Sequence, residues 1–201
     1  SLMFAALAVG QSRIEGLLEG EDVLATAHAL QRLGVEIART GAGAWTVHGV
    51  GVGGLAEPAC VLDMGNAGTG ARLMMGLLAG HPFTSIMTGD GSLRSRPMAR
   101  VMNPLTQMGA SFVGRSGNRL PAAITGRRDL LPLSYVSPVA SAQVKSAILL
   151  AGLHAPGITS VTEPLASRDH TERMLAHMGA TVETEPHGEG GLVVRITGRP
   201  E

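Results

Sequence analysis

The chain has 201 residues, 44% of them hydrophobic and 2% aromatic, and its 16 Lys and Arg side chains balance 16 Asp and Glu. That composition suits one globular domain of above-average size, or one lobe of a larger protein, and excludes a disordered chain. Few aromatic platforms and no basic excess argue against a nucleic-acid partner. Cys60 is the only cysteine, so an internal disulfide framework is excluded and a reducing, cytoplasmic setting fits. The apolar run Leu2–Val9 is too short to span a membrane, and no basic residue precedes it as a secretory signal requires. The opening at Ser1, already inside a helix-like pattern, reads as the start of a piece of a longer protein.

The zero net charge conceals segregation. Residues 1–65 carry −4, residues 66–128 carry +7 and residues 129–201 carry −3. Fifteen of the 16 basic residues are Arg, Lys145 being the only Lys. A genome rich in Arg codons explains that ratio but not the clustering. A local Arg excess suits fixed, bidentate binding of phosphate or carboxylate.

In chain order, one pattern recurs three times. Ala29-Leu30-Gln31-Arg32-Leu33-Gly34-Val35, Pro104-Leu105-Thr106-Gln107-Met108-Gly109-Ala110 and Met174-Leu175-Ala176-His177-Met178-Gly179-Ala180 each read as the last turn of an amphipathic helix, a Gly stop and the start of a strand. A more apolar helix ends before each, at Leu7-Ala8-Val9-Gly10, Leu77-Leu78-Ala79-Gly80 and Leu149-Leu150-Ala151-Gly152. Strands are predicted at 12–15, 84–87 and 159–162, and again at 45–48, 121–125 and 192–196. The later three end near Gly49, Gly126 and Gly198. A further short strand or loop is expected at 61–64. The expected fold class is α/β, as a threefold pseudo-symmetric lobe with apolar helices at the centre and sheets outside. Its units run approximately 1–60, 61–130 and 131–201, within one domain.

Five segments carry candidate chemistry. Gly49-Val50-Gly51-Val52-Gly53-Gly54 matches a dinucleotide fingerprint by letters. Glu57 and Pro58 follow where a helix is required, so a flexible connector is the better reading. Gly65-Asn66-Ala67-Gly68-Thr69-Gly70-Ala71-Arg72 follows a strand and opens an apolar helix. Its backbone N–H groups can approach an anion, although Ala71-Arg72 replaces the Lys-Ser/Thr of a nucleotide loop. Gly89–Pro97 places Arg94 and Arg96 in an extended loop, on one face, with Pro97 in the first turn of a helix. In Pro138–Lys145, Ser141 is the expected N-cap, whereas capping does not explain Gln143. In Ser167-Arg168-Asp169-His170-Thr171-Glu172, Asp169 or Ser167 can cap and Arg168 is unexplained. His170 and His177 are two turns apart with no completing ligand, so no metal is expected. Cys60 lacks the setting of a nucleophile. The equivalent helix starts cluster on one face, as a pocket for a small polyanion.

Asn66-Ala67-Gly68-Thr69, Arg96-Pro97 with Arg100, Ser141-Ala142-Gln143-Val144-Lys145-Ser146 and Arg168–Glu172 together resemble the 5-enolpyruvylshikimate-3-phosphate synthase family, along the whole chain and in order. The resemblance implies most of the N-terminal lobe of a two-lobed enzyme, each lobe three βαβαββ units in an alpha-beta prism. It implies enolpyruvyl transfer from phosphoenolpyruvate to the 5-hydroxyl of shikimate 3-phosphate, by addition and elimination, without metal or organic cofactor. It assigns Gly68, Arg96 and Gln143 to phosphoenolpyruvate, and Ser141, Ala142, Gln143 and Arg168 to shikimate 3-phosphate. Asn66, Thr69 and Arg72 shape the turn. No catalytic acid or base falls in this chain. Those groups belong to a missing C-terminal lobe and a stretch before Ser1, so the chain alone is expected to be inactive. A monomer in the bacterial cytoplasm, with no membrane or nucleic-acid partner, is implied. Arg72-Leu73 and Ser141–Lys145 resemble the glyphosate-tolerant subgroup (class II), while Gly68 stands where some tolerant relatives carry Ala. Two other readings stay open. One is the related UDP-N-acetylglucosamine enolpyruvyl transferase, whose Cys-bearing loop has no counterpart in Gly89–Pro97. The other is a non-catalytic repeat lobe used for binding or assembly.

Overall fold

The computed structural model describes residues 1–199. The first unit runs α1 (Leu2–Leu7), β1 (Val9–Ile14), α2 (Glu21–Arg32), β2 (Glu36–Gly41) and β3 (Ala44–Val50). The second runs β4 (Leu62–Asp63), α3 (Gly68–Ala79), β5 (Thr84–Thr88), α4 (Gly91–Ser95), α5 (Ala99–Gln107), β6 (Ser111–Arg115) and β7 (Arg119–Thr125). The third runs β8 (Ser134–Val136), α6 (Ala142–Gly152), β9 (Ile158–Glu163), α7 (His170–His177), β10 (Val182–His187) and β11 (Gly191–Thr197). Three sheets result, ordered β1-β3-β2, β4-β5-β7-β6 and β8-β9-β11-β10. β4 pairs parallel with β5, in register Leu62 with Met87, and β8 pairs parallel with β9, in register Tyr135 with Val161. The other pairings are antiparallel. In the first sheet β1 has a partner on one side only among the described residues.

Two glycine motifs explain why the unit repeats. The amphipathic helices end at Gly34, Gly109 and Gly179, with φ of +87°, +109° and +92°. That left-handed step lets Val35, Ala110 and Ala180 donate back to Leu30, Leu105 and Leu175, the closing bond of a Schellman turn. The last strands reach Gly49, Gly126 and Gly198, where a Cβ would overlap carbonyl oxygens of Ala5 and Ala8, of Leu78 and His81, and of Gly152 and Ala155. Each strand therefore crosses the end of its apolar helix at a distance only glycine permits.

That second motif corrects the expected alignment of Gly10 with Gly80 and Gly152. The spatially equivalent residues are Ala8, His81 and Ala155, and Gly10 lies inside β1. Ala8 already has extended backbone, ψ 164°, so α1 stops at Leu7 and β1 begins three residues earlier than the pattern suggested. The segment after Gly49 is not a flexible connector either. Gly51 donates to Ala8 O, Leu55 to His81 Nε2 and Ala56 to Leu33 O, which fastens it to the first and second units.

The core lies between the apolar helices. α3 buries Met74, Met75, Leu77 and Leu78, and α6 buries every residue from Val144 to Gly152. Each large side chain so removed from water contributes about 1.5–3 kcal/mol before entropy is counted. α3 and α6 meet at Gly76, where a Cβ would stand 2.8 Å from Ala147 Cα. α1 packs chiefly on β3 and α2, so the central contact is a helix pair flanked by a third, shorter helix. No helix of the described residues is long and apolar enough to cross a membrane.

Candidate anion-binding site

The turn before α3 is built by short-range bonds. Asp63 Oδ1 accepts from Gly65 N–H at 2.9 Å, and Met64 O accepts from Ala67 N–H at 2.8 Å. Asn66 is thereby exposed above the start of α3, where it donates to Asp90 Oδ2 at 2.8 Å and accepts from Arg96 Nη2 at 2.7 Å. Arg96 also donates to Ser92 Oγ at 3.1 Å. Its other terminal nitrogen, Nη1, lies 2.6 Å from where a Gly68 Cβ would be. Arg72 Nη1 donates to Gly68 O at 3.2 Å and stands 3.4 Å from the same point. Two guanidinium groups thus converge on the backbone of Gly68 at the positive end of a 12-residue helix.

Burial, then repulsion from Arg96 and Arg100, lowers the pKa of the Arg72 guanidinium. Arg keeps its charge regardless, so the crowding creates a positive potential that an anion would relieve. Among the described residues, none of Arg72, Arg96 and Arg100 forms an ion pair with a carboxylate.

α6 starts beside α3. Gln143 Nε2 donates to Thr69 Oγ1 at 2.9 Å, joining the second and third units through their helix starts. Around them a cleft of about 380 Å³ is lined by Thr69, Ala142, Gln143, Ser146, Arg168 and His170. It adjoins a shallower one of about 460 Å³ between Ser141–Gln143 and Ala166–Arg168. Arg168 is exposed on the rim. A groove of about 1030 Å³ between α2 and β4 lies behind the turn, touching it at Asp63 and Gly65, and mixes Glu21 and Asp63 with Arg32.

The nine sequence-derived site residues therefore divide into two adjoining groups. Asn66, Gly68, Arg72 and Arg96 form the guanidinium cluster. Ser141, Ala142 and Arg168 line the clefts, with Thr69 and Gln143 as the bridge. Local expectations need correction. Arg94 does not share a face with Arg96 in an extended loop, because Gly91–Ser95 is helical and Arg94 Nε turns back to Asp90 O. Pro97 precedes α5, whose N-cap is Met98, instead of opening its first turn. Ser141 and Asp169 occupy N-cap positions, yet neither side chain makes a capping bond. Ser141 N–H and Ser167 instead bind Glu163.

Comparison with known proteins settles the kinship. A family profile described as EPSP synthase (3-phosphoshikimate 1-carboxyvinyltransferase) matches residues 1–200. The chain belongs to the EPSP synthase family. The 3-phosphoshikimate 1-carboxyvinyltransferase of Rhodospirillum rubrum is 63% identical over 205 residues, covering 100% of this chain and 46% of its own length. That of Parvibaculum lavamentivorans is 61% identical over 201 residues, again covering 100% of this chain and 45% of the relative. A solved EPSP synthase from Acinetobacter baumannii superposes with a TM-score of 0.94 at 48% identity, over 100% of this chain and 44% of that one. The chain thus spans just under half the length of these EPSP synthase relatives, and the α/β fold expected from the repeats is the fold of that part.

Sequence reasoning missed three residues that hold this candidate site in shape. Asp90 caps α4 through Leu93 N–H at 2.7 Å while its other oxygen holds Asn66. The signal was present in Asp90-Gly91-Ser92-Leu93, where Asp precedes a short helical turn. Ser92 holds Arg96 and is recognisable only once α4 is formed. Glu163 closes β9 and has no local pattern that marks it. Among the described residues, no group of three His, Cys, Asp or Glu side chains is gathered to hold a metal ion.

Proposed function

We propose that this chain is the substrate-binding half of an enzyme that transfers the enolpyruvyl group of phosphoenolpyruvate to the 5-hydroxyl of shikimate 3-phosphate. The observation that carries the reading is the convergence of Arg96 and Arg72 on Gly68, joined through Thr69 and Gln143 to the Ser141–Arg168 cleft. Gly68, Arg96 and Gln143 hold phosphoenolpyruvate. Ser141, Ala142, Gln143 and Arg168 hold shikimate 3-phosphate, while Asn66, Thr69 and Arg72 keep the turn in shape. Both substrates are multiply anionic, so their mutual repulsion must be offset by fixed donors before they can react. The 5-hydroxyl oxygen gives up its proton and adds to C2 of the enol phosphate, while a proton is added at C3. The tetrahedral adduct then loses inorganic phosphate and a C3 proton, restoring the double bond. Proton donors and acceptors come from the remainder of a full-length enzyme. A cytoplasmic monomer fits this reading. Arg72-Leu73 and Ser141-Ala142-Gln143-Val144-Lys145 support placement in the glyphosate-tolerant subgroup, which inhibition of the full-length enzyme by glyphosate would test.

The experiment is phosphate release dependent on both substrates. A full-length protein containing this chain is expected to show it, whereas the 201-residue chain is expected to show none. Amide shifts at Ser141, Gln143 and Arg168 on titration with shikimate 3-phosphate would support the cleft. Their absence at millimolar ligand would favour a non-catalytic repeat module, and turnover by the isolated chain would overturn the half-site reading.

A further inference from the structure

Bonded to Ser141 and Ser167, two residues that line the cleft of about 460 Å³, is a buried ionic cluster. The side chains of Lys145 and Glu163 are each 0% exposed and that of Glu172 is 5% exposed. Lys145 Nζ stands 2.9 Å from Glu163 Oε2 and 2.6 Å from Glu172 Oε1. The other bonds of Glu163 are more unusual. Its Oε1 accepts from the backbone N–H of Ser141 at 3.0 Å. Its Oε2 accepts from Ser167 Oγ at 2.8 Å and from Ser167 N–H at 3.3 Å. Ser141 and Ser167 stand on opposite rims of the cleft, one at the start of α6 and the other ahead of α7. A single carboxylate at the end of β9 therefore ties both rims together. It uses a backbone N–H that precedes α6, so the first N–H groups of the helix are not consumed by it.

Any buried carboxylate must have its remaining lone pairs satisfied, so the placement of the donors, not their number, is what distinguishes Glu163. Here the carboxylate is divided between two loops that share no other hydrogen bond among the described residues. Burial alone would raise the Glu163 pKa. The bonds from Lys145, Ser167 and Ser141 outweigh burial and lower it, so the group is a committed acceptor near neutral pH.

We infer that Glu163 is a positioning residue for shikimate 3-phosphate: it sets the spacing of the Ser141 and Ser167 rims, with Lys145 as its counter-charge. This rests on the proposed function. The test uses the full-length enzyme and compares the KM of each substrate. Glu163→Gln keeps an acceptor oxygen for Ser141 N–H, but it sets an NH2 donor against Ser167 N–H and removes the charge that holds Lys145, so the Ser167 rim is released. The expected result is a rise of about tenfold or more in the KM for shikimate 3-phosphate, with the KM for phosphoenolpyruvate within about twofold. Glu163→Asp keeps the charge but is one methylene shorter, and an intermediate rise of about three- to fivefold is expected. If Glu163→Gln does not fold, the Asp variant decides. An unchanged KM for shikimate 3-phosphate in a folded variant overturns the inference, as does an equal rise for both substrates. Failure of the unmodified full-length enzyme to release phosphate would instead overturn the proposed function itself.

Discussion

At the residue scale the molecule depends on side chains that are absent as much as on those present. Gly68 leaves room for two guanidinium groups, and a methyl there would meet Arg96 Nη1 at 2.6 Å. Gly68→Ala is therefore expected to push Arg96 off Asn66 and off the backbone it overlies. With charge-assisted bonds worth about 1.5–3 kcal/mol, the KM for phosphoenolpyruvate in the full-length enzyme should rise about tenfold or more. Steady-state kinetics check this, and an unchanged KM would mean that Arg96 does not reach the substrate. The sequence pointed to Gln143 and Arg168 because capping does not explain a polar side chain there, and to Arg96 through its place before Pro97 and the family resemblance. It did not reveal Glu163. A carboxylate closing a strand has no periodic signature, and its importance arises from contacts with Ser141 and Lys145, far away along the chain.

At the element scale the repeat was the most legible feature. The glycine stops at Gly34, Gly109 and Gly179 are local chemistry, dictated by the left-handed backbone each helix end adopts. The ends of the apolar helices were less legible. The signal there lies in the strand glycines that cross them, a contact between segments distant in sequence. α4 was missed because five residues leave no room for periodicity to show. The pairing of α3 with α6 rests on Gly76, and Gly76→Ala sets two effects against each other. Alanine favours an isolated helix by about 1 kcal/mol over glycine. The added methyl would stand 2.8 Å from Ala147 Cα, and overpacking of that kind costs about 1–3 kcal/mol. Steric overlap with a backbone cannot be relieved by a rotamer change, so we expect net destabilisation, read as a lower denaturant midpoint at unchanged slope. A higher midpoint would show that the two helices can slide apart cheaply.

At the scale of the whole molecule, the helix ends far from the anion site meet at two histidines. His81 bonds Leu77 O through Nδ1 at 2.9 Å and receives Leu55 N–H at Nε2, which assigns its neutral tautomer. His154 packs edge-on against it with ring centres 4.9 Å apart. Burial, then the neighbouring His81, lowers the His154 pKa from 6.5 to about 3. An unfolded chain binds that proton more readily, so this stability is complete above about pH 6.5 and is lost as pH falls toward 3. Thermal unfolding followed from pH 7 to 4 should show the decline, and His154→Phe should make it shallower, leaving the share of His81, whose pKa burial also lowers. A slope unchanged in that variant would assign acid sensitivity to other groups. The second and third sheets each have a parallel strand, β4 or β8, beside the strand that follows the apolar helix. β1 occupies that position in the first sheet, with one flank unpaired among the described residues and Val9 93% exposed. Handled as a free 201-residue polypeptide, the protein thus carries an adhesive seam, a template on which another copy's backbone can crystallise edge to edge. Concentrated solutions should scatter light increasingly with time, and Val9→Lys should keep them clear. Scattering equal in both proteins would move the seam elsewhere.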